Sequence, residues 1–256
     1  TGQWLAEQTE QAEPAVAVEV MEVVPGGMIR SIEASGIIRG TSEATVISET
    51  QGVLTNVAFG LGEFVSAGAV LAEVDDRIAR LSYQQAQQAQ ESAQLDLAAV
   101  ERRIQAGSAS QAELVRAQAA ASGAEAALAQ AEKNFRDTTV RATISGRIAS
   151  KDGSIGQGSY LQRGVPVARI VDLSSLETEV AVGEQELQYL EAGASATVAI
   201  PVCDDQAIPA EVASIAAGAD QRTGSFPVIV RWNNVCGEAV RSGMSVQVTI
   251  EPQNVR

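Results

Sequence analysis

The chain has 256 residues, a formal net charge of −14 and no histidine, with 45% of its residues apolar and 4% aromatic. The acidity leaves no cationic patch to neutralise phosphates, which argues against nucleic-acid binding. Without histidine the commonest general base and the commonest transition-metal ligand are missing, and no run approaches the roughly 18 apolar residues of a membrane span.

Residues 1–13 are polar and rich in Gln and Glu. Residues 15–24 (Ala-Val-Ala-Val-Glu-Val-Met-Glu-Val-Val) alternate as a strand until Pro25-Gly26-Gly27 breaks the pattern. A strand rhythm resumes from Met28 to Ile38, with Gly36 as a bulge or crossing point, and Gly40 to Glu49 leads on. The chain starts with Thr1 and shows no signal peptide, so a leader or anchor upstream is an expectation only.

Two glycine-bearing segments follow, opening at Gly52 and Gly146. The first contains Gly60-Leu-Gly62-Glu-Phe64-Val65-Ser-Ala-Gly68, the second Gly156-Gln-Gly158-Ser-Tyr160-Leu161-Gln-Arg-Gly164. Both read G-x-G-x-aromatic-apolar-x-x-G, and both run into an apolar strand ending in Val-Asp, at Asp75 and at Asp172. Such a repeat signals two copies of one small β unit. Its glycines permit tight turns or close backbone approach.

Between the copies, residues 77–136 read as helix with one break at Ala106–Ser110. Leu114, Ala117, Ala121, Ala124, Leu128, Ala131 and Phe135 alternate steps of three and four. Ala79, Tyr83, Ala86, Gln90, Ala93, Leu97, Val100 and Ile104 keep the same steps. That 3.5-residue repeat predicts two arms of about 40 Å folded as an antiparallel coiled-coil hairpin. Asp75 and Asp76 are placed to cap the first arm. Ser108-x-x-Gln111 and Ser110-x-x-Glu113 both match a capping box at the tip, and Ser110 is the preferred start.

After Asp172 the chain turns to β. Strands are expected at Leu176–Val182, Ala196–Ile200, Ala207–Ile215, Phe226–Trp232 and Ser245–Ile250, with a short helix from Gly183 closed by Gly193. Strands at this spacing suggest a small barrel or sandwich. Cys203 and Cys236 both lie in turn-like contexts at strand ends. One bridge is open to them in an oxidising compartment; the alternative is two side chains too far apart to join.

Two glycine-bearing halves split by a helical hairpin resemble the lipoyl-like domain of periplasmic adaptors, the membrane fusion proteins of tripartite efflux pumps. Glu184…Gly193, Asp220-Gln-Arg222-Thr223-Gly-Ser-Phe226 and Arg241-Ser-Gly243-Met244 are similar to the adaptor β-barrel. The resemblance implies a mostly β, elongated, multi-domain fold with an α-helical coiled-coil hairpin. Residues 28–45 plus 173–250 would form the barrel, 46–75 plus 138–172 the lipoyl-like sandwich, and 76–137 the hairpin. An N-terminal segment 1–27, with a membrane-proximal strand, and a tail 251–256 would flank them. Flexible joints are expected near residues 75–77, 137–141 and 172–176.

The resemblance further implies a periplasmic location attached to the inner membrane through a missing N-terminal anchor. It implies an RND-type inner-membrane transporter and an outer-membrane channel as partners, and a trimer or hexamer in the assembled pump. Arg103, Ala109, Ser110 and Glu113 roughly match the family's channel-contacting tip. Two further readings stand beside it: an adaptor of an ATP-driven exporter or type I secretion system, and a structural coiled-coil protein unrelated to transport.

Catalytic chemistry is not expected. The sequence carries no G-x-S-x-G, P-loop or C-x-x-C. Val74-Asp75-Asp76 stand where a true lipoyl domain carries its modified lysine, and the only lysines are Lys133 and Lys151. Met21, Met28 and Met244 are too scattered for a soft-metal site, so no metal and no cofactor is expected and the cargo would be a small organic compound.

Overall fold

The computed structural model describes residues 31–203 and 207–251. The strand expected over residues 15–24 lies outside them. In chain order the elements are β1 (Ile32–Ile47), β2 (Gly52–Val57), β3 (Phe64–Val65), β4 (Val70–Val74), α1 (Arg77–Gln105), α2 (Gln111–Arg136), β5 (Thr139–Arg141), β6 (Gly146–Lys151) and β7 (Tyr160–Leu161). They continue with β8 (Pro166–Val182), α3 (Glu184–Leu187), β9 (Ser195–Ala199), β10 (Ala207–Ile215), β11 (Phe226–Asn233) and β12 (Ser245–Ile250).

Two apolar cores form. Around the first, six antiparallel strands pair in a ring. β1 gives Ile32–Ile37 to β12 and Ile38–Ile47 to β8, and β11, β10 and β9 complete the circuit from β8 back to β12. Period-two alternation fills it. Val228, Val230 and Trp232 of β11 and Val246, Val248 and Ile250 of β12 are all buried, each aliphatic contributing roughly 1.5–3 kcal/mol. Gly36 sits where β1 changes partner. A Cβ there would lie 2.2 Å from the Thr178 hydroxyl, and that buried hydroxyl donates to the Ile37 carbonyl at 3.0 Å.

The second core draws Leu54, Val65, Leu71 and Val74 from the first glycine segment and Ile148, Leu161, Val167 and Ile170 from the second. β1 and β8 contribute to both cores, Ile38 and Leu176 to the first, Val46 and Ile170 to the second. The loose joint expected at residues 172–176 is therefore not found: β8 passes through it as strand. Asp172 and Leu176 pair with β1 there, and Ser175 and Leu176 with β11.

α1 and α2 run antiparallel, Tyr83 near the start of α1 stacking on Phe135 near the end of α2 with ring centroids 5.8 Å apart. All fifteen residues of the two expected seams are half-buried or buried. α1 has no fully buried residue and α2 has only Ala131. The helices therefore rest on each other and not on a core. α3 is shorter than expected: it ends at Leu187, and Gly193, with φ 87°, serves the turn before β9 and not the helix.

Candidate functional site

The two glycine segments interlock. β3 of the first copy pairs with β6 of the second, and β7 of the second pairs with β2 of the first. The hydrogen bonds repeat in pairs. Gly62 donates to Ile148 O at 2.9 Å as Gly158 donates to Leu54 O at 2.8 Å; Ile148 donates to Glu63 O as Leu54 donates to Ser159 O. Gly68 and Ala142 are joined in the same way as Gly164 and Ser48. The result is one body with internal twofold character, whose halves are separated by α1 and α2.

Its glycines divide by task. Gly62, Gly68, Gly158 and Gly164 turn the chain with φ between 79° and 84°, a region costly for residues with a Cβ. Gly60 and Gly156 instead donate their N–H groups to the side chains three residues on, Glu63 and Ser159. Gly52 and Gly146 permit close packing: a Cβ would meet Val74 Cγ1 at 2.6 Å and Val171 O at 2.5 Å respectively.

The opposite end of the helix pair carries the four tip residues. Ser110 caps α2 through a complete capping box: its hydroxyl accepts from the Glu113 N–H at 3.3 Å, and the Glu113 carboxylate accepts from the Ser110 N–H at 2.9 Å. Ser108 N–H donates to the Arg103 carbonyl at 2.8 Å, Gly107 turns with φ 69°, and Ala109 is half-buried. Arg103, in the last turn of α1, and Ala109, Ser110 and Glu113, at the start of α2, thus flank one short connection.

At the root, ion pairs hold the helices to the β unit. Lys133, on α2, reaches Glu49 at 2.5 Å and Asp137 at 2.9 Å. Hydrogen bonding to Asp137 and then to Glu49 raises the Lys133 ammonium above its ordinary value, and Lys133 in turn holds the Glu49 carboxyl low. Asp75 is drawn down to about 2 by the Arg77 guanidinium and the Arg77 N–H. Helix capping is therefore shared unequally: Asp75 accepts from the Arg77 N–H at 3.2 Å, while Asp76 makes no side-chain cap and pairs with Arg80. Sequence patterning did not reveal the Glu49–Lys133 contact, because its partners are 84 positions apart.

In the ringed body Cys203 and Cys236 are disulfide-bonded, with Cα atoms 6.0 Å apart. The bridge ties the turn after β9 to the turn after β11. The second turn carries Glu238, which pairs with Arg147 of β6 in the other body. Neither Arg147 nor Glu238 belongs to a motif, so nothing in the sequence pointed to them. Among the described residues no group of three or more His, Cys, Asp or Glu could hold a metal ion, and no helix is long and apolar enough to cross a membrane.

No protein-family model matches the chain. It is similar to an uncharacterised protein of Haemophilus influenzae, 23% identical over 253 residues, covering 96% of this chain and 63% of that protein. It is also similar to the multidrug resistance protein MdtA of Proteus mirabilis, 27% identical over 191 residues, covering 68% of this chain and 45% of that protein. The chain thus spans between about half and two thirds of the length of these relatives. Among solved structures, a MacA–MexA chimera containing the Pseudomonas aeruginosa MexA α-hairpin domain matches with TM-score 0.78 and 22% identity, covering 90% of this chain and 81% of that one. The membrane fusion protein Spr0693 of Streptococcus pneumoniae matches with TM-score 0.68 and 22% identity, covering 87% of this chain and all of that one (100%). Interlocked β halves, a helix pair inserted between them and a ring of strands built on the same two long strands make up this chain, and it has the fold of the membrane fusion protein Spr0693 and of the MacA–MexA chimera.

Proposed function

We propose that the protein is a periplasmic adaptor, attached to the inner membrane, that links an RND-type transporter to an outer-membrane channel for export of small organic compounds. The observation that carries this reading is the placement of the capped tip. The helices bury almost nothing against either core, so the turn at Arg103–Glu113 is presented far from the β bodies. A rod with a rigid, polar end suits docking better than enclosing a substrate. In this reading the interlocked body is a lipoyl-like domain, the ring is the adaptor β-barrel, and the helices are a coiled-coil hairpin. The protein acts mechanically, as a trimer or hexamer, with no covalent step and no cofactor. Similarity to a multidrug resistance protein supports an organic cargo.

The test is export in cells carrying Ser110→Arg. The substitution places a bulky cation at the tip and removes the cap hydroxyl. Loss of export at normal expression supports docking through the tip; unchanged export overturns it.

The matching chimera joins parts of two adaptors, MacA and MexA, in one fold. The fold therefore does not select the transporter, and an adaptor of an ATP-driven exporter or type I secretion system is the second reading. Purification of the native complex from membranes separates the two by the transporter that accompanies the chain.

A further inference from the structure

The two cores are joined by β1 and β8, and the place where they meet is narrow. β1 shifts register between Gly40 and Ser42: Gly40 faces Leu176 and Ser42 faces Asp172, so Thr41 stands opposite three residues of β8. A bulge of this kind bends a strand and weakens its ladder locally. The joint is not a loop, but residues 173–175 of β8 have no register partner on β1 there.

Two polar contacts cross it. Arg147 of the interlocked body donates to Gly62 O at 2.8 Å within its own body and pairs with Glu238 of the ringed body. Ser242, in the turn before β12, donates to Glu43 at 3.2 Å, and Glu43 also accepts from Arg169 at 2.9 Å. A cleft lined by Leu61, Arg147, Leu173, Val240 and Ser242 lies between them.

An exposed ion pair contributes little when one partner sits on a free turn, because ordering the turn cancels the attraction. The Glu238 turn is not free. Cys236, two residues before Glu238, is bonded to Cys203. Asn234 donates to Leu173 O and Gly237 O, both at 2.9 Å, and accepts from the Cys236 N–H. The cystine and Asn234 together hold Glu238 where Arg147 can meet it.

We propose that the Cys203–Cys236 cystine and the Arg147–Glu238 pair form one latch that sets the angle between the two bodies, closed when the cystine is oxidised and open when it is reduced. Opening by a dithiol is balanced: two electrons and two protons pass to the S–S bond, giving two thiols, and the dithiol becomes its own cyclic disulfide. The proposal concerns the isolated chain and does not depend on its role in export.

The test is a distance distribution between two spin labels attached through ketone-bearing residues at positions 160 and 247, one in each body, which leaves the cysteines untouched. The oxidised chain should give a narrow distribution. Arg147→Ala, and separately Cys203→Ser with Cys236→Ser, should each widen it at least twofold. Combining them should widen it no further, because both open the same latch. A distribution unchanged by Arg147→Ala overturns the latch; one unchanged in the cysteine-free chain, or additive widening, overturns its control by the cystine. Should the cysteine-free chain lose its cooperative melt, the wild type reduced with dithiothreitol is read against the same three outcomes.

Discussion

Gly40 on β1 and Gly146 on β6 close on successive peptides of β8, those on either side of Asp172, from its two edges. A Cβ on Gly40 would lie 2.3 Å from Asp172 O, and one on Gly146 would lie 2.5 Å from Val171 O. The nearest atom each would strike is backbone, which cannot swing away. Gly40→Ala and Gly146→Ala should each destabilise the chain by about 1–3 kcal/mol or more. Gly60→Ala is the control. Its backbone is ordinary and its nearest neighbour would be 3.5 Å away, so stability should change little. Urea unfolding of the three variants decides; equal midpoints would remove the close approach as the reason for those glycines.

The tip makes a separate prediction. Ser110→Ala deletes the hydroxyl that accepts from Glu113, and loss of such a cap costs about 1 kcal/mol. The loss is local, because the first turn of α2 packs on no core. Hydrogen exchange should quicken at residues 111–114 and stay unchanged at residues 128–135. Faster exchange along the whole helix would mean that the box supports the pair globally.

Seam and surface alanines should part company. Ala131 is the buried residue of α2, whereas Ala129 two positions earlier is exposed. Ala131→Leu forces three extra carbons into the contact with α1 and should cost about 1–3 kcal/mol. Ala129→Leu meets water and should stay within about 0.5 kcal/mol of the parent. Thermal melts followed by circular dichroism separate them, and equal losses would show that the helices are not packed along this seam.

How much of this was legible beforehand depends on range. The seam was readable because its period is local, and each of Ala79, Tyr83, Ala86 and Gln90 needs only neighbours three or four residues away. The strands over Ala207–Ile215 and Ser245–Ile250 were readable for the same reason, with alternation every second residue. The partnership of the glycine segments was legible only because the motif occurs twice. What escaped was set by tertiary register. Nothing near Asp172 announces that β8 continues, since Leu173-Ser174-Ser175 reads as a break and is instead the bulged side of a paired strand. Arg147 and Glu238, 91 positions apart, carry no pattern that would join them. The end of α3 is hidden because a glycine such as Gly193 marks a helix end and a tight turn equally well in sequence, and here it serves the turn before β9.

The root of the helices predicts a pH dependence in two windows. Asp75 lies below its ordinary 3.8, at about 2, because Arg77 donates to its carboxylate. Its contribution is therefore complete above about pH 4 and disappears as the pH falls towards 2, where the folded form also takes up the proton. Lys133 is shifted the other way, above its ordinary 10.5, by Asp137 and Glu49. Its contribution is complete below that value and disappears as the pH rises through the raised one. Asp75→Asn should thus lose stability relative to the parent at neutral pH, with the gap closing between about pH 4 and 2 and unaffected by alkali. Lys133→Met should show a gap that is constant through neutral pH, narrows above the ordinary lysine range, and narrows again in acid as Glu49, held below its ordinary 4.5 by Lys133, takes up a proton. Urea midpoints measured at each pH give the two difference curves. Because the groups are exposed, added salt should shrink both gaps, and curves that stay parallel to the parent through these windows would show that the root pairs do not hold the helices.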